Sequence, residues 1–166
     1  MKKYMLLLLI LLLYFRYNFS LDNFKEKQLT TTVSVNTNNL APPSLQVYYA
    51  IKRYAKIYNI PEKIAFGVPR KETGFINPMD FSYNHKQISS ANAMGTMQVQ
   101  YRTAKDVEPN KNFTKEELLN NIDLNVNISF KYLRQLYNKY KSWDVALGYY
   151  NTGHPKINEY ATSITR

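Results

Sequence analysis

Apolar residues recur every three or four positions through most of residues 45–166, and this spacing constrains the fold more than any other feature of the chain. Such a period places the apolar side chains on one face of an α-helix. It is longest from Asp123 to Tyr140, which predicts the longest helix. Residues 76–100 lack the period and contain Pro, Asn and Gly, so we expect an irregular or weakly β segment there. The predicted fold class is mainly α with a small irregular or β element.

Local signals at helix ends divide the rest of residues 45–166 into shorter helices. The further predicted helices are 45–58 after an N-cap at Ser44, Pro61 to a C-cap at Gly74, 102–107, a helix opened by a capping box at Thr114–Glu117, a helix from an N-cap at Ser142 to Gly153, and a last one after Pro155 with Ile157 and Tyr160. Pro69 lies inside the second of these helices. Because its ring removes a backbone donor, a kink is expected there.

Glu72 lies where the apolar face of this second helix should continue. Ile64, Ala65 and Val68 precede it by eight, seven and four positions, so all four side chains share one face. A carboxyl group among apolar neighbours has its charged form disfavoured, and its raised pKa suits a group that donates a proton near neutral pH. Two interpretations follow: a catalytic acid, or a glutamate at the edge of the core that is neutralised by a base such as Arg70.

Residues 1–20 combine two lysines with an apolar run. Lys2 and Lys3 precede the run from Met5 to Phe15, a pattern typical of a secretory signal peptide. The run is short for a membrane-spanning helix of about 20 residues, although the aromatic residues at its end suit a membrane interface. No small-x-small cleavage site follows, so a cleaved signal peptide and a retained N-terminal membrane anchor both fit. Either one predicts export to the periplasm or cell envelope.

Residues 21–44 are polar, rich in Thr and Asn, and end near Pro42-Pro43. This composition predicts a flexible linker, with a short strand at Val33–Val35 as the alternative. The folded domain is therefore expected at residues 45–166, which also carry most of the net charge of +10.

The composition excludes several kinds of site and narrows the partners. The absence of Cys excludes disulfides, thiol nucleophiles and Cys-ligated zinc. His85 and His154 are far apart in sequence and no carboxylate cluster joins them, so we expect no metal and no cofactor. The net charge of +10 indicates an anionic partner, which is nucleic acid, a membrane surface or an anionic wall polymer. The fifteen tyrosines suit a groove that binds a polar polymer.

Short motifs follow Glu72 in a characteristic order. They are Glu72-Thr73-Gly74-Phe75, Ser89-x-x-x-Ala93-x-Gly95-x-Met97-Gln98, Thr103-Ala104, Asn125, Tyr132-Leu133 and Tyr150-Asn151-Thr152-Gly153. With this order and spacing, residues 45–162 resemble the catalytic domain of lytic transglycosylases of the soluble-transglycosylase (SLT) type, which shares its fold with goose-type lysozymes. The resemblance implies a lysozyme-like helical domain with a long groove.

The resemblance also implies that this groove binds peptidoglycan glycan strands and cleaves the β-1,4 bond between N-acetylmuramic acid and N-acetylglucosamine. Most glycosidases use two carboxylates, and Glu72 has no convincing second one in the sequence, Asp80 being the nearest in the chain. A single Glu72 would protonate the glycosidic oxygen while the substrate N-acetyl group stabilises positive charge. It would then deprotonate the muramic C6 hydroxyl, whose attack gives a 1,6-anhydro product.

Roles are expected for five further motif residues. Gln98 supplies an amide for sugar hydroxyl or acetamido groups, and Gly95 allows a tight turn beside the groove. Tyr150 lies near the acid in the family pattern, so its hydroxyl either orients the carboxyl group or the side chain only packs. Asn151 is expected to bind an acetamido or carboxyl group. Ser89 either binds substrate or stabilises a turn.

The sequence departs from the family pattern at several positions. Thr73 replaces Ser and keeps the hydroxyl, and Asn92 replaces Gly but tolerates a left-handed backbone. Pro69 is the least expected residue, because it lies in the helix that positions Glu72. The other replacements are Thr96 for an apolar residue, Tyr101 for Pro, Ser129 for Gly and Thr152 for Ala. We expect these changes to affect substrate preference and efficiency more than the fold.

The leading hypothesis is an exported peptidoglycan lytic transglycosylase that opens the wall for a secretion or conjugation machine, or that acts in phage entry or release. A hydrolytic, lysozyme-like muramidase is the nearest alternative. A catalytically inactive wall-binding module, in which Pro69 has displaced Glu72, is the second. A nucleic-acid binder would leave the Glu72 and Tyr150 motifs unexplained, so nucleic acid is not expected as a partner.

Overall fold

The computed structural model describes residues 41–166, which form helices around a two-stranded antiparallel sheet. In chain order the elements are α1 (Pro43–Ile57), α2 (Glu62–Thr73), β1 (Ala93–Met94), β2 (Val99–Gln100), α3 (Tyr101–Val107), α4 (Lys115–Asn120), α5 (Ile122–Tyr140), α6 (Trp143–Thr152) and α7 (Glu159–Thr165). The mainly α class with a small β element is confirmed. The predictions for residues 1–20, for the linker up to residue 40 and for Val33–Val35 lie outside the described residues. Within residues 41–166, no helix combines the length and the apolar character needed to cross a membrane.

Helix α5 is central, because apolar side chains on opposite sides of it are buried in two clusters. Val126, Phe130 and Leu133 belong to the larger cluster, which they share with α1, α2, α6 and α7. Leu124 and Ile128 belong to the smaller one, which they share with the sheet, α3 and α4. The period-based prediction therefore found the helix on which both halves of the core are built.

Most of the local signals for helix ends are confirmed. At Thr114–Glu117 both bonds of the capping box form, with N···O distances of 3.1 and 2.7 Å. The side chain of Ser142 caps α6, and α2 ends at Gly74 with a left-handed φ of 73°. Pro61 is the N-cap residue of α2, whereas the sequence predicted it as the first residue of the helix.

Two predictions about helix ends are wrong. Ser44 is not an N-cap: α1 already begins at Pro43, and the buried Ser44 hydroxyl instead donates to the carbonyl of Pro78 at 2.9 Å. This bond ties the start of α1 to the loop after α2. Ile157 does not belong to the last helix, because the side chain of Asn158 caps α7 and Ile157 precedes it, 52% exposed. A helical period cannot show on which side of a cap an apolar residue falls.

Asn125 fastens the sheet to α5. Its amide oxygen accepts from the backbone N–H of Met97 at 3.0 Å, and its amide nitrogen donates to the carbonyls of Met94 and Leu118 at 2.9 and 3.2 Å. Gly95 packs directly on this side chain with a φ of +73°, and a Cβ there would lie 2.5 Å from the Asn125 amide nitrogen. A buried polar side chain and a missing Cβ therefore set the position of the hairpin on the central helix.

Two glycines allow α7 to approach its neighbours. A Cβ on Gly67 of α2 would lie 2.6 Å from the side chain of Ile164 in α7. A Cβ on Gly148 of α6 would overlap the backbone carbonyl of Lys156, just before α7. Because neither Cβ exists, α7 lies close to α2 and its leading segment close to α6.

Replacement of Asn125 tests how much the fold depends on this fastening. Asn125→Ala leaves three backbone groups without their side-chain partner. Each group that stays buried and unpaired costs about 1–3 kcal/mol, so we expect the free energy of unfolding to fall by at least about 2 kcal/mol. Urea unfolding followed by circular dichroism measures this loss. Asn138→Ala on the exposed side of α5 is the matched control and should stay within about 0.5 kcal/mol of wild type. Equal effects of the two substitutions would contradict the assignment.

Candidate active site

Glu72 lies in the last turn of α2 and lines a pocket of about 390 Å³. Ile64, Ala65 and Val68 on the same side of α2 are buried in the core, and Glu72 itself is half-buried. Its predicted inward position is confirmed. The carboxyl group therefore stands at the boundary between core and pocket, where it can reach a bound molecule while its surroundings exclude much of the water.

Helix α2 continues through Pro69 to Thr73, so Pro69 neither ends the helix nor removes Glu72 from the pocket. The carbonyl of Pro69 accepts hydrogen bonds from the backbone N–H groups of Gly74 and Phe75, which close the C-terminal end of the helix. A local kink at Pro69 stays a prediction. The displacement of Glu72, on which the inactive-module alternative depended, does not occur.

Thr73 holds the end of α2 in place directly beside the acid. Its buried side-chain oxygen lies 3.1 Å from the carbonyl of Pro69, 2.9 Å from the carbonyl of Thr96 and 2.7 Å from the hydroxyl of Tyr83. These contacts connect α2 with the hairpin turn and with the loop that precedes it. The replacement of the family's Ser by Thr thus keeps a hydroxyl that fixes the backbone next to Glu72.

Two opposing effects set the proton affinity of Glu72. Burial raises its pKa above the ordinary value, because the charged form loses hydration. The hydroxyl of Tyr160 donates a hydrogen bond of 2.6 Å to Oε1 of Glu72, which stabilises the carboxylate and lowers the pKa. Burial is the larger effect, so the pKa of Glu72 stays raised. The bond to Oε1 also fixes the orientation of the carboxyl group and leaves Oε2 to carry the proton.

The hydroxyl that orients Glu72 comes from Tyr160 and not from Tyr150, for which the sequence left two roles open, orientation of the carboxyl group or packing. The Tyr150 hydroxyl donates to the backbone carbonyl of Met97 at 2.6 Å, while Tyr160 from α7 reaches Glu72. The sequence signal for Tyr160 was weak: a tyrosine hydroxyl in a packed position needs a partner, but no local pattern pairs it with a residue 88 positions earlier. Tyr150 does line the pocket, so its predicted contact with substrate stays a prediction.

Ser89 and Gln98 line the same pocket from the hairpin side. The Ser89 hydroxyl accepts from the backbone N–H of Ala93 at 3.1 Å, so it stabilises the turn whether or not it also binds substrate. The Gln98 amide nitrogen donates to the carbonyls of Gln87 and Gly95 at 3.0 and 2.9 Å. Its two N–H groups are thereby engaged, and the amide oxygen is the group that remains for a sugar hydroxyl.

Asn151 also lines the pocket, and its amide oxygen accepts from the side chain of Asn158 at 3.1 Å. Gly95 is not part of the pocket lining: it lies beneath the hairpin, against Asn125. Asn92 has a φ of 58°, so the predicted left-handed backbone at this replaced glycine is confirmed. The structure thus brings Glu72, Ser89, Gln98, Tyr150 and Asn151 to one pocket and places Gly95 behind it.

Among residues 41–166, Glu72 is the only carboxylate that lines this pocket. Asp80, the nearest other candidate in sequence, instead accepts hydrogen bonds from the backbone and hydroxyl of Ser82 and is not part of the lining. Within residues 41–166, no group of three or more His, Asp or Glu side chains is placed to hold a metal ion. The lining thus offers one carboxyl group for proton transfer, together with amide and hydroxyl groups.

The family model described as the transglycosylase SLT domain matches residues 49–164. Lytic transglycosylase Slt of Pseudomonas aeruginosa, solved as an inactive mutant, is 23% identical with a TM-score of 0.54 over 64% of this chain and 16% of that one. The 70 kDa soluble lytic transglycosylase of Escherichia coli is 23% identical with a TM-score of 0.54 over 70% of this chain and 18% of that one. A complex of the 70-kDa soluble lytic transglycosylase with bulgecin A gives a TM-score of 0.55 at 23% identity, over 70% of this chain and 18% of that one.

This chain thus spans less than a fifth of the length of each of these solved chains. At this identity the likeness shows the fold, and the expected lysozyme-like helical fold is confirmed for the described residues.

The hydrogen bond from Tyr160 makes a testable statement about Glu72. Tyr160→Phe removes the donor while it keeps the ring, so we expect the pKa of Glu72 to rise further. An NMR titration of isotope-labelled glutamate carboxyl carbons measures it. Tyr54→Phe is the matched control, because Tyr54 donates to another carboxylate, Asp123, at 2.5 Å and does not line the pocket. An unchanged pKa of Glu72 in Tyr160→Phe would contradict the assignment.

The raised pKa of Glu72 also predicts a pH-dependent cost to stability. Ionisation is harder in the folded than in the unfolded chain, whose glutamate has a pKa near 4.5. The contribution of Glu72 to stability is therefore fully present below that pH and is lost as the pH rises through the folded-state pKa. In Glu72→Gln this loss is absent, so its free energy of unfolding should increase relative to that of wild type as the pH rises above 4.5 and through the folded-state pKa of Glu72.

Urea unfolding of both proteins across this pH range measures the difference. Glu62→Gln, at an exposed position in the first turn of α2, is the control for the loss of one carboxylate. Parallel stability curves for wild type and Glu72→Gln would show that Glu72 is not held in a desolvated position.

Proposed function

The chain belongs to the transglycosylase SLT domain family, and from this we propose that it is a peptidoglycan lytic transglycosylase acting through Glu72. Its proposed substrate is the β-1,4 bond between N-acetylmuramic acid and N-acetylglucosamine, and its proposed product carries a 1,6-anhydro ring. The observation that carries the proposal is the single carboxylate in the pocket lining, half-buried and bonded to Tyr160. A site with one carboxyl group fits a reaction in which the substrate itself supplies the nucleophile.

In the first step Glu72 acts as an acid. Burial raises the pKa of Glu72 and so favours its protonated form, and the bond from Tyr160 to Oε1 leaves the proton on Oε2. Oε2 donates this proton to the glycosidic oxygen as the bond to C1 of the muramic residue breaks. The acetamido oxygen of the same sugar stabilises the positive charge that develops at C1, so no second protein carboxylate is needed.

In the second step Glu72 acts as a base. The carboxylate left by the first step removes the proton of the C6 hydroxyl, and the C6 oxygen forms a bond to C1 of the same sugar. Glu72 thereby regains its proton, and no water is consumed. Attack within one sugar benefits from high effective concentration, which reduces the entropic part of the barrier.

The two environments of the carboxyl group suit these two roles. Burial favours the protonated form that starts the reaction, and the hydrogen bond from Tyr160 favours the carboxylate that finishes it. A general acid that must return as a base works best when neither form is strongly favoured at the operating pH. Tyr160 is on this account a positioning residue, since it acts through Glu72.

The glycan strand is proposed to lie against the residues that share the pocket with Glu72. Gln98, through its amide oxygen, and Asn151 would bond hydroxyl or acetamido groups; both line the pocket together with Tyr150 and Ser89, which supports this role. Gly95 contributes indirectly by seating the hairpin on Asn125. Since the substrate lies in the cell envelope, the proposed place of action is the periplasm or cell envelope. Residues 1–20 would deliver or anchor the enzyme there, and a secretion or conjugation machine is the proposed partner.

Digestion of purified peptidoglycan tests the proposal. The full chain should release muropeptides lighter by the mass of one water than the hydrolytic products, as measured by mass spectrometry. Glu72→Gln should lose at least about 100-fold in rate, because general acid–base catalysis contributes about 10² to 10⁴. Glu62→Gln is the matched control and should keep the wild-type rate.

Other outcomes separate the alternatives. Products with a reducing end would make the protein a hydrolytic muramidase. Sedimentation with insoluble peptidoglycan that Glu72→Gln does not change, with no soluble product from wild type, would make it a wall-binding module.

A further inference from the structure

A row of four tyrosines follows the contact between α5 and α6 and leads out of the pocket. The ring centroids of Tyr132 and Tyr150 are 5.7 Å apart, and those of Tyr140 and Tyr149 are 5.6 Å apart. Tyr132, Tyr149 and Tyr150 line the pocket, whereas Tyr140 lies outside its lining. The aromatic surface therefore begins beside Glu72 and continues past the pocket wall.

Lys139 adds a positive charge at the outer end of this row. Its Nζ lies 5.1 Å from the ring centroid of Tyr140 and 5.9 Å from that of Tyr149. Lys139 is exposed, and no acidic side chain of residues 41–166 forms an ion pair with it. In the part of the chain that the structure describes, no Lys or Arg lines the pocket itself. Lys139 is thus a cation beside the aromatic rim of the pocket without a carboxylate partner in the described chain.

A second cation on α5 shows what a purely structural arrangement looks like. The guanidinium of Arg134 lies 4.9 and 5.2 Å from the ring centroids of Tyr137 and Trp143, which are themselves stacked at 4.3 Å. Arg134 also donates to the backbone carbonyls of Tyr58 and Asn59. These two hydrogen bonds connect α5 with the end of α1. Lys139 has the same kind of aromatic neighbours, but its ammonium group lacks such partners within residues 41–166.

Aromatic rings and an ammonium group together match one feature of the proposed substrate. Tyrosine rings present flat apolar faces with a polar edge, which suits contact with the faces of sugar rings. The muramic residue differs from its neighbour by a lactyl ether that carries either a free carboxylate or a peptide with its own carboxylates. An unpaired ammonium group at the end of an aromatic surface is complementary to a sugar with such an acidic substituent.

We propose that Lys139, Tyr140 and Tyr149 extend the pocket into a subsite for a muramic residue, with the sugar against Tyr149 and its acidic substituent on Lys139. This inference rests on the proposed function for the identity of the ligand. Tyr149 connects the proposed subsite with the pocket of Glu72, because it lines that pocket and its ring pairs with the ring of Tyr140 outside it. The subsite therefore distinguishes muramic residues from neutral sugars at a distance from the reacting bond.

Binding measurements with three ligands test this subsite. The ligands are glycan strands with peptides, strands stripped of peptides by an amidase, and a neutral oligomer of N-acetylglucosamine. The full chain carries Glu72→Gln, so that a bound strand is not consumed, and the dissociation constants are measured by calorimetry at low salt. The first two ligands distinguish a peptide carboxylate from the lactyl carboxylate.

Lys139→Gln should weaken binding of one or both acidic strands about three- to tenfold and leave binding of the neutral oligomer within about twofold. This difference should vanish at about 1 M salt, where charges are screened beyond about 3 Å. Lys56→Gln is the matched control, because Lys56 is exposed on α1 beside a different cavity. Tyr149→Ala should weaken all three ligands about tenfold, and Tyr149→Phe, which keeps the ring, should restore binding.

The inference is overturned if Lys139→Gln changes acidic and neutral ligands equally, or if Tyr149→Ala leaves every affinity unchanged. Its failure differs from failure of the proposed function. A wild-type protein that releases anhydro products while Lys139→Gln shows no selectivity lacks the subsite but is the proposed enzyme. A protein that shows the selectivity but releases no product has the subsite without the activity.

Discussion

Burial of α5 on two opposite sides is the constraint from which the rest of the described structure follows. One side packs with α1, α2, α6 and α7, and the other with the sheet, α3 and α4. Glu72 belongs to α2, and Tyr150 and Asn151 belong to α6; both helices contribute to the cluster on the first side. Asn125 of α5 forms hydrogen bonds to the backbone of Met94 and Met97, and these bonds fix the position of the hairpin relative to the helix. Packing and one buried amide thus decide where Gln98 and Ser89 meet the pocket.

The acid depends on a contact that packing makes possible. Glu72 and Tyr160 belong to helices far apart in sequence, and they meet because Gly67 lets Ile164 approach α2 while Gly148 lets the segment before α7 pass α6. A methyl group at either glycine would push α7 away and lengthen the bond to the carboxyl group. The same helix contact therefore contributes to stability and sets the proton affinity of the acid.

The sequence predicted what short-range physics determines. Helical periods located α5, and capping residues such as Thr114 and Ser142 located helix ends, because these signals act within one or two turns. The inward position of Glu72 followed from the same arithmetic. The partner of Glu72 did not, since it depends on how α7 docks; orientation of the carboxyl group was instead one of two roles left open for Tyr150. Ser44 failed as a cap for a related reason: its hydroxyl serves a distant loop.

The distribution of charge reconciles a basic protein with a weakly acidic catalytic group. A Lys or Arg within the pocket would stabilise the carboxylate of Glu72 and lower its pKa, which would remove the proton that the first step needs. Within residues 41–166, however, every Lys and Arg lies outside the pocket lining. Lys139 is the instructive case, because its ammonium group lies 5.9 Å from the ring centroid of Tyr149, which lines the pocket, while Lys139 itself is not part of the lining. An anionic strand can then be attracted by the surface of the domain while the proton affinity of Glu72 is set by burial and by Tyr160 alone.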